Sequence, residues 1–117
     1  MIPNNVVEAA KAQAGLSTHR FRVGAVFYDG KYILGRGYND HRKTHPKSPH
    51  PFNTIHAEFG AFLDFGWNNS PGSVSKHVKL YVHRLKLDGS DGLAKPCQWC
   101  WGMISQLGIK DVRWSVG

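Results

Sequence analysis

The hydrophobic positions of this chain change their spacing along its length, first with a helical period and then with alternation. The first helical pattern predicts a helix over residues 6–16. Asn4 or Asn5 is expected to cap its start, and Gly15 to mark its end. The apolar side of this helix would consist of Val6, Val7, Ala10 and Ala14.

Runs rich in β-branched and aromatic residues predict four strands, with two further helices between them. The strands are expected over residues 22–28, 31–35, 79–84 and 110–116, and the helices over residues 55–65 and 98–107. Asp29-Gly30, between the first two strands, is a strong signal for a tight hairpin turn. The resulting order, α-β-β-α-β-α-β, ends in a strand–helix–strand unit, which predicts a parallel pair. We therefore expect an α/β fold in which helices pack on the faces of a mixed sheet.

Two polar loops, over residues 37–53 and 85–95, and a turn-rich connector over residues 66–75 separate these elements. The first contains three prolines and several basic residues, among them Arg42 and Lys43. A long, proline-broken segment inside a small domain is typical of a functional loop.

The length of 117 residues and the 41% hydrophobic content fit a single globular domain over residues 1–117. No run of about 18 apolar residues is present, so no membrane span is expected. The first residues lack the basic and apolar regions of a secretory signal. The net charge of +7 favours an anionic partner, either a nucleotide or a nucleic acid, although lysine and arginine also simply solvate protein surfaces.

Two short motifs contain the residues best suited to chemistry, and each falls at the predicted start of a helix. His56 and Glu58 begin one helix, and Cys97 and Cys100 begin another. Cysteines three positions apart lie on one helix face, and a helix N-terminus favours the thiolate form that binds metals. One imidazole and two thiolates are a typical ligand set for catalytic zinc, which keeps its fourth position open. A redox role for the two cysteines is disfavoured, because it requires neither His56 nor Glu58.

The order His-x-Glu followed by Pro-Cys-x-x-Cys, seen here as His56-Ala57-Glu58 and Pro96-Cys97-Gln98-Trp99-Cys100, resembles the signature of the zinc-dependent cytidine/deoxycytidylate deaminase superfamily. The resemblance extends over most of the chain and is greatest to phage-type dCMP deaminases. Three further segments are similar to that family: Val23-Gly24-Ala25-Val26, Gly37-Tyr38-Asn39 and Gly108-Ile109-Lys110.

The resemblance implies a three-layer α/β/α domain that binds Zn²⁺ through His56, Cys97 and Cys100. It further implies a hydrolytic deaminase in which zinc-bound hydroxide attacks C4 of a cytosine, as in the conversion of dCMP to dUMP. Glu58 would move the proton. Backbone groups at Ala57 and near Pro96 would orient the base.

The sequence leaves the substrate class open. The resemblance implies that Asn39 meets the sugar, and Arg42 and Lys43 are placed to hold a 5′-phosphate or a nucleic-acid backbone. One alternative is deamination of cytosine or adenine within single-stranded DNA or tRNA, which the charge and the four tryptophans favour. Another alternative is a non-catalytic, zinc-stabilised binding module.

Reduced cysteines favour the cytoplasm, which would be that of the host if a phage encodes the chain. We also expect a homo-oligomer, because association would cover the sheet edge left after the last predicted strand.

Overall fold

In the computed structural model, the described residues are 2–17, 22–39, 57–68, 78–86, 88–96, 98–107, 109 and 111–116. They form three helices and five strands. The elements in chain order are α1 (Asn4–Leu16), β1 (Arg22–Asp29), β2 (Tyr32–Tyr38), α2 (Ala57–Asn68), β3 (Lys79–Leu85), β4 (Asp91–Gly92), α3 (Gln98–Leu107) and β5 (Asp111–Trp114).

The strands form one sheet in the order β2-β1-β3-β4, and β5 also pairs with β3. The pairs β1–β2, β1–β3 and β3–β4 are antiparallel. β3 and β5 are parallel, as the strand–helix–strand order predicts, since α3 lies between them in the chain. A sheet with packed helices therefore agrees with the predicted fold class.

The predicted element order lacked β4. This strand has only two residues, and both lie inside the segment that we expected to be a loop. They pair with Arg84 and Leu85 of β3. Two residues are too few to produce an alternating pattern, so the sequence carries no signal for them.

The start of α1 also differs from the prediction. Asn4 and Asn5 lie within the helix, and Pro3 occupies the capping position without a side-chain cap. The Asn5 amide instead donates to the carbonyl oxygen of Lys31, at 2.8 Å, and so ties α1 to the β1–β2 turn.

The β1–β2 hairpin has a tight two-residue connection, Gly30-Lys31, which lies one residue later than the predicted turn. Gly30 has a φ of +59°, a conformation that side-chain-bearing residues rarely adopt. The register shifts between Phe27 and Tyr28, which pair with Gly35 and Ile33 and leave an extra residue on β2. This irregularity is a β-bulge, which bends the strand.

The two faces of the sheet carry separate apolar clusters because successive strand residues point to opposite sides. One face contacts α1, and its cluster consists of Val6, Ala10, Val26, Tyr28 and Tyr81. The other face packs with residues of α2 and α3, and its cluster includes Ala25, Phe27, Leu80, Val82, Ala57, Ala61 and Ile104. Of the helices described here, none has the length and apolar character needed to cross a membrane.

Two glycines allow helices to approach the sheet backbone closely. A Cβ on Gly24 would overlap the carbonyl oxygen of Ala10 in α1. A Cβ on Gly37 would overlap the backbone of Gly60 and Ala61 in α2. Both contacts are with backbone atoms, which cannot rotate away, so each glycine fixes the position of one helix.

Gly24→Ala and Gly37→Ala should each lower the free energy of unfolding by about 3 kcal/mol, the upper end of the range for overpacked sites. Gly15→Ala is the matched control, because nothing lies within 4 Å of its Cβ position. It should raise stability by about 0.4–1 kcal/mol through the unfolded state. Urea denaturation measures the free energy of unfolding of all three variants. Equal values for the three would contradict the close packing of Gly24 and Gly37.

Candidate active site

Glu58 is the second residue of α2 and is only 4% exposed. Burial raises the pKa of its carboxyl above the usual range, against smaller opposing effects from hydrogen bonds to its own backbone and to Cys100. Burying a carboxylate costs free energy, because desolvation penalises its charge. The position of Glu58 is therefore that of a candidate catalytic acid or base.

Cys100 is the third residue of α3 and is fully buried. Its thiol hydrogen-bonds to the Glu58 carboxylate. This contact brings together the first turns of α2 and α3, two helices that β3 and β4 separate along the chain.

The structure thus joins one residue from each of the two motifs singled out in the sequence. The other two residues predicted at this centre, His56 and Cys97, lie outside the described residues. Within the described part of the chain, no group of three histidine, cysteine, aspartate or glutamate side chains is placed to hold a metal ion. The predicted ligand set of His56, Cys97 and Cys100 therefore stays a prediction.

Ala57 and Pro96 are both buried, and each lies next to one of the predicted ligands in sequence. Ala57 is the first residue of α2, and its carbonyl oxygen would be 2.9 Å from a Cβ on Gly37. The end of β2 therefore lies against the start of α2. Pro96 is two residues before the first residue of α3.

Asn39 follows β2 and is 8% exposed. Its backbone N–H donates to the carbonyl oxygen of Val23 at 3.1 Å, and its side-chain Oδ1 accepts from the Val23 N–H at 2.9 Å. The Ser17 hydroxyl donates to the Asn39 carbonyl oxygen at 2.8 Å. These bonds hold Asn39 in place beside Val23 and Ser17. Because Asn39 is only two residues beyond Gly37, which lies against α2, it is near the start of that helix. Arg42 and Lys43, the predicted phosphate contacts, lie outside the described residues.

Cys100 and Glu58, the two residues of the predicted centre that the structure describes, have side chains that suit a zinc site. The Cys100 thiol stabilises the Glu58 carboxylate through its hydrogen bond, but burial still penalises the charge of that carboxylate. Thiolate is a preferred zinc ligand, and the zinc sites of deaminases keep a carboxylate nearby as an acid or base.

The profile of the family described as cytidine and deoxycytidylate deaminase zinc-binding region matches residues 3–116. The chain belongs to this family. No curated protein matched the sequence at a significant level.

Solved structures of several deaminases share this fold. The apo dCMP deaminase of cyanophage S-TIM5 superposes with a TM-score of 0.66 at 24% identity, over 99% of this chain and 86% of its own. The same phage enzyme in complex with dCMP and dUMP superposes with a TM-score of 0.60 at 22% identity, over 98% of this chain and 86% of its own. Guanine deaminase from Bacillus subtilis superposes with a TM-score of 0.61 at 20% identity, over 99% of this chain and 65% of its own. At these identities the likeness shows the fold and leaves the substrate open.

A second buried polar group lies on the opposite face of the sheet, beside α1. The Tyr81 hydroxyl and the two ring nitrogens of His83 form a chain that ends on the Asp91 carboxylate, with both links at 2.8 Å. The hydrogen bond from His83 lowers the pKa of Asp91. Since Tyr81 also belongs to the α1 cluster, this chain is separate from the Glu58–Cys100 contact.

Sequence reasoning missed two serines that hydrogen-bond to segments near the candidate site. Ser17 holds Asn39, and Ser115 bonds to the segment that precedes Cys97. Neither serine belongs to a motif, and each acts on a partner more than 20 residues away in sequence.

Proposed function

We propose that this chain catalyses the zinc-dependent hydrolytic deamination of a cytosine nucleotide, of the dCMP to dUMP type, within a three-layer α/β/α domain. The observation that carries the proposal is the buried contact between Glu58 and Cys100 at the starts of α2 and α3. Membership of the family supports it.

His56, Cys97 and Cys100 are the residues that would hold the zinc ion. Zinc in such a site lowers the pKa of a water molecule to about 7 and so supplies a nucleophile at neutral pH. Glu58 would accept the proton of that water, deliver it to the ring nitrogen of the base, and then assist the departure of ammonia. Burial of Glu58 keeps bulk water from competing for this proton.

Asn39, with backbone groups of Ala57 and Pro96, would position the nucleoside. Support comes from the bonds that hold Asn39 and from the closeness of Gly37 to the start of α2. Arg42 and Lys43 would bind the 5′-phosphate. The S-TIM5 enzyme, whose fold this chain shares, has been solved with dCMP and dUMP bound.

A panel of substrates, read by ammonia release, tests the proposal. The compounds are dCMP, deoxycytidine, CMP, guanine, and single-stranded oligonucleotides containing one cytosine or one adenine. We expect dCMP to be deaminated fastest and deoxycytidine more slowly, because it lacks the phosphate. Faster reaction of guanine or of an oligonucleotide would overturn the assignment to free cytosine nucleotides.

Deamination within a single-stranded nucleic acid is the second candidate, which the net charge of +7 favours. Two of the four tryptophans are less available for base stacking, because Trp101 and Trp114 pack edge to face with ring centroids 5.9 Å apart. The oligonucleotide arms of the panel separate this candidate from the first.

A further inference from the structure

Ser115 lies immediately after β5 and is 8% exposed. Four hydrogen bonds surround it. Its N–H donates to the Val82 carbonyl at 3.0 Å, and its own carbonyl accepts from the Ala94 N–H at 3.0 Å. Its hydroxyl accepts from the Arg84 N–H at 3.0 Å and donates to the Gly92 carbonyl at 2.6 Å. One residue therefore joins β3 to β4 and to the segment that follows it.

The segment held by Ser115 leads directly to the cysteine pair. Ala94, whose N–H donates to the Ser115 carbonyl, is three positions before Cys97. Ala94 and Pro96 are buried, whereas Leu93 and Lys95 are exposed. The bonds that join Ser115 to Gly92 and to Ala94 thus hold this segment against the sheet, with Ala94 and Pro96 facing inward.

The Ser115 hydroxyl acts as donor and acceptor at once, which alanine cannot do. Removing it would take a partner from the Arg84 N–H and from the Gly92 carbonyl together. Leaving such groups without a partner costs free energy, which favours a shift of the backbone toward other partners. The segment before Cys97 would then move relative to the end of β3.

We propose that Ser115 is a positioning residue for the zinc site, which holds the backbone before Cys97 so that the Cys97 and Cys100 sulfurs converge. This inference rests on the proposed function. Groups that hydrogen-bond directly to metal ligands typically change metal affinity by about 10- to 100-fold when they are removed. Ser115 acts through the backbone three residues before Cys97, so we expect an effect near the lower end of that range.

Ser115→Ala tests this role with zinc competition against a chelator and with the absorption spectrum of the cobalt-substituted protein. We expect zinc affinity to fall about 10-fold. The thiolate-to-cobalt band should shift or weaken at a temperature where circular dichroism shows a folded chain. Ser115→Thr, which keeps the hydroxyl, should restore affinity and spectrum.

Ser90→Ala is the matched control. Ser90 is exposed in the same connection, and its hydroxyl donates to the Asp88 carboxylate, away from the segment that leads to Cys97. It should leave zinc affinity and the cobalt spectrum unchanged. A Ser115→Ala variant that melts earlier but binds both metals as the wild type does would overturn the inference and leave the proposed function intact. A wild-type chain that binds neither metal would instead overturn the proposed zinc site.

Ala94→Pro provides a second variant if Ser115→Ala does not fold. Proline lacks the N–H that donates to the Ser115 carbonyl, and the hydroxyl bridge stays in place. Weaker zinc binding by this variant supports the inference, and unchanged binding contradicts it.

Discussion

Glu58→Gln should lower kcat for the deamination of dCMP by about 10²- to 10⁴-fold, the usual contribution of a positioned acid or base. Glutamine has nearly the same shape but cannot take up and return the proton. Because Glu58 is not among the predicted ligands, the variant should retain its zinc. Steady-state ammonia release and metal analysis of the same preparation measure both quantities.

Glu8→Gln is the matched control, since Glu8 is exposed on α1 and lies outside the site. It should leave kcat and zinc content unchanged. A Glu58→Gln variant that deaminates dCMP at the wild-type rate would remove Glu58 from the mechanism. Complete loss of zinc in that variant would assign Glu58 to the ligand set instead.

Cys100→Ala should abolish stoichiometric zinc binding and deamination together. Two ligands would remain, and zinc sites in proteins use three or four. The variant is distinguished from Glu58→Gln by its metal content, which should be near zero. Metal analysis after dialysis, with circular dichroism as a check on folding, makes this measurement.

Ser105→Ala is the control on the same helix, because Ser105 is exposed. It should bind one zinc ion per chain. Full zinc occupancy in Cys100→Ala would show that the metal is held elsewhere.

The sequence predicts the regular elements of this fold well where their pattern is long. The bounds of α3 agree with the prediction, and the alternation of Leu80 and Val82 places both in the cluster beside α2 and α3. It does not predict β4, whose pairing depends on partners in β3 rather than on its own two residues.

The candidate site divides in the same way. Motif spacing predicted that Glu58 and Cys100 serve one centre, and the structure brings these two side chains into contact. The close approach at Gly37 and the hydrogen bonds of Ser115 were not predictable, because they join segments that are distant in sequence. Local patterns carry no information on such contacts.

Native mass spectrometry of the purified chain shows directly whether each chain binds one zinc ion. We expect a species heavier than the sequence mass by one zinc ion less two protons, since both sulfurs would bind as thiolates. Cys100→Ala should show only the metal-free mass. A wild-type chain found only at its metal-free mass, after purification in the presence of zinc, would contradict the proposed zinc site.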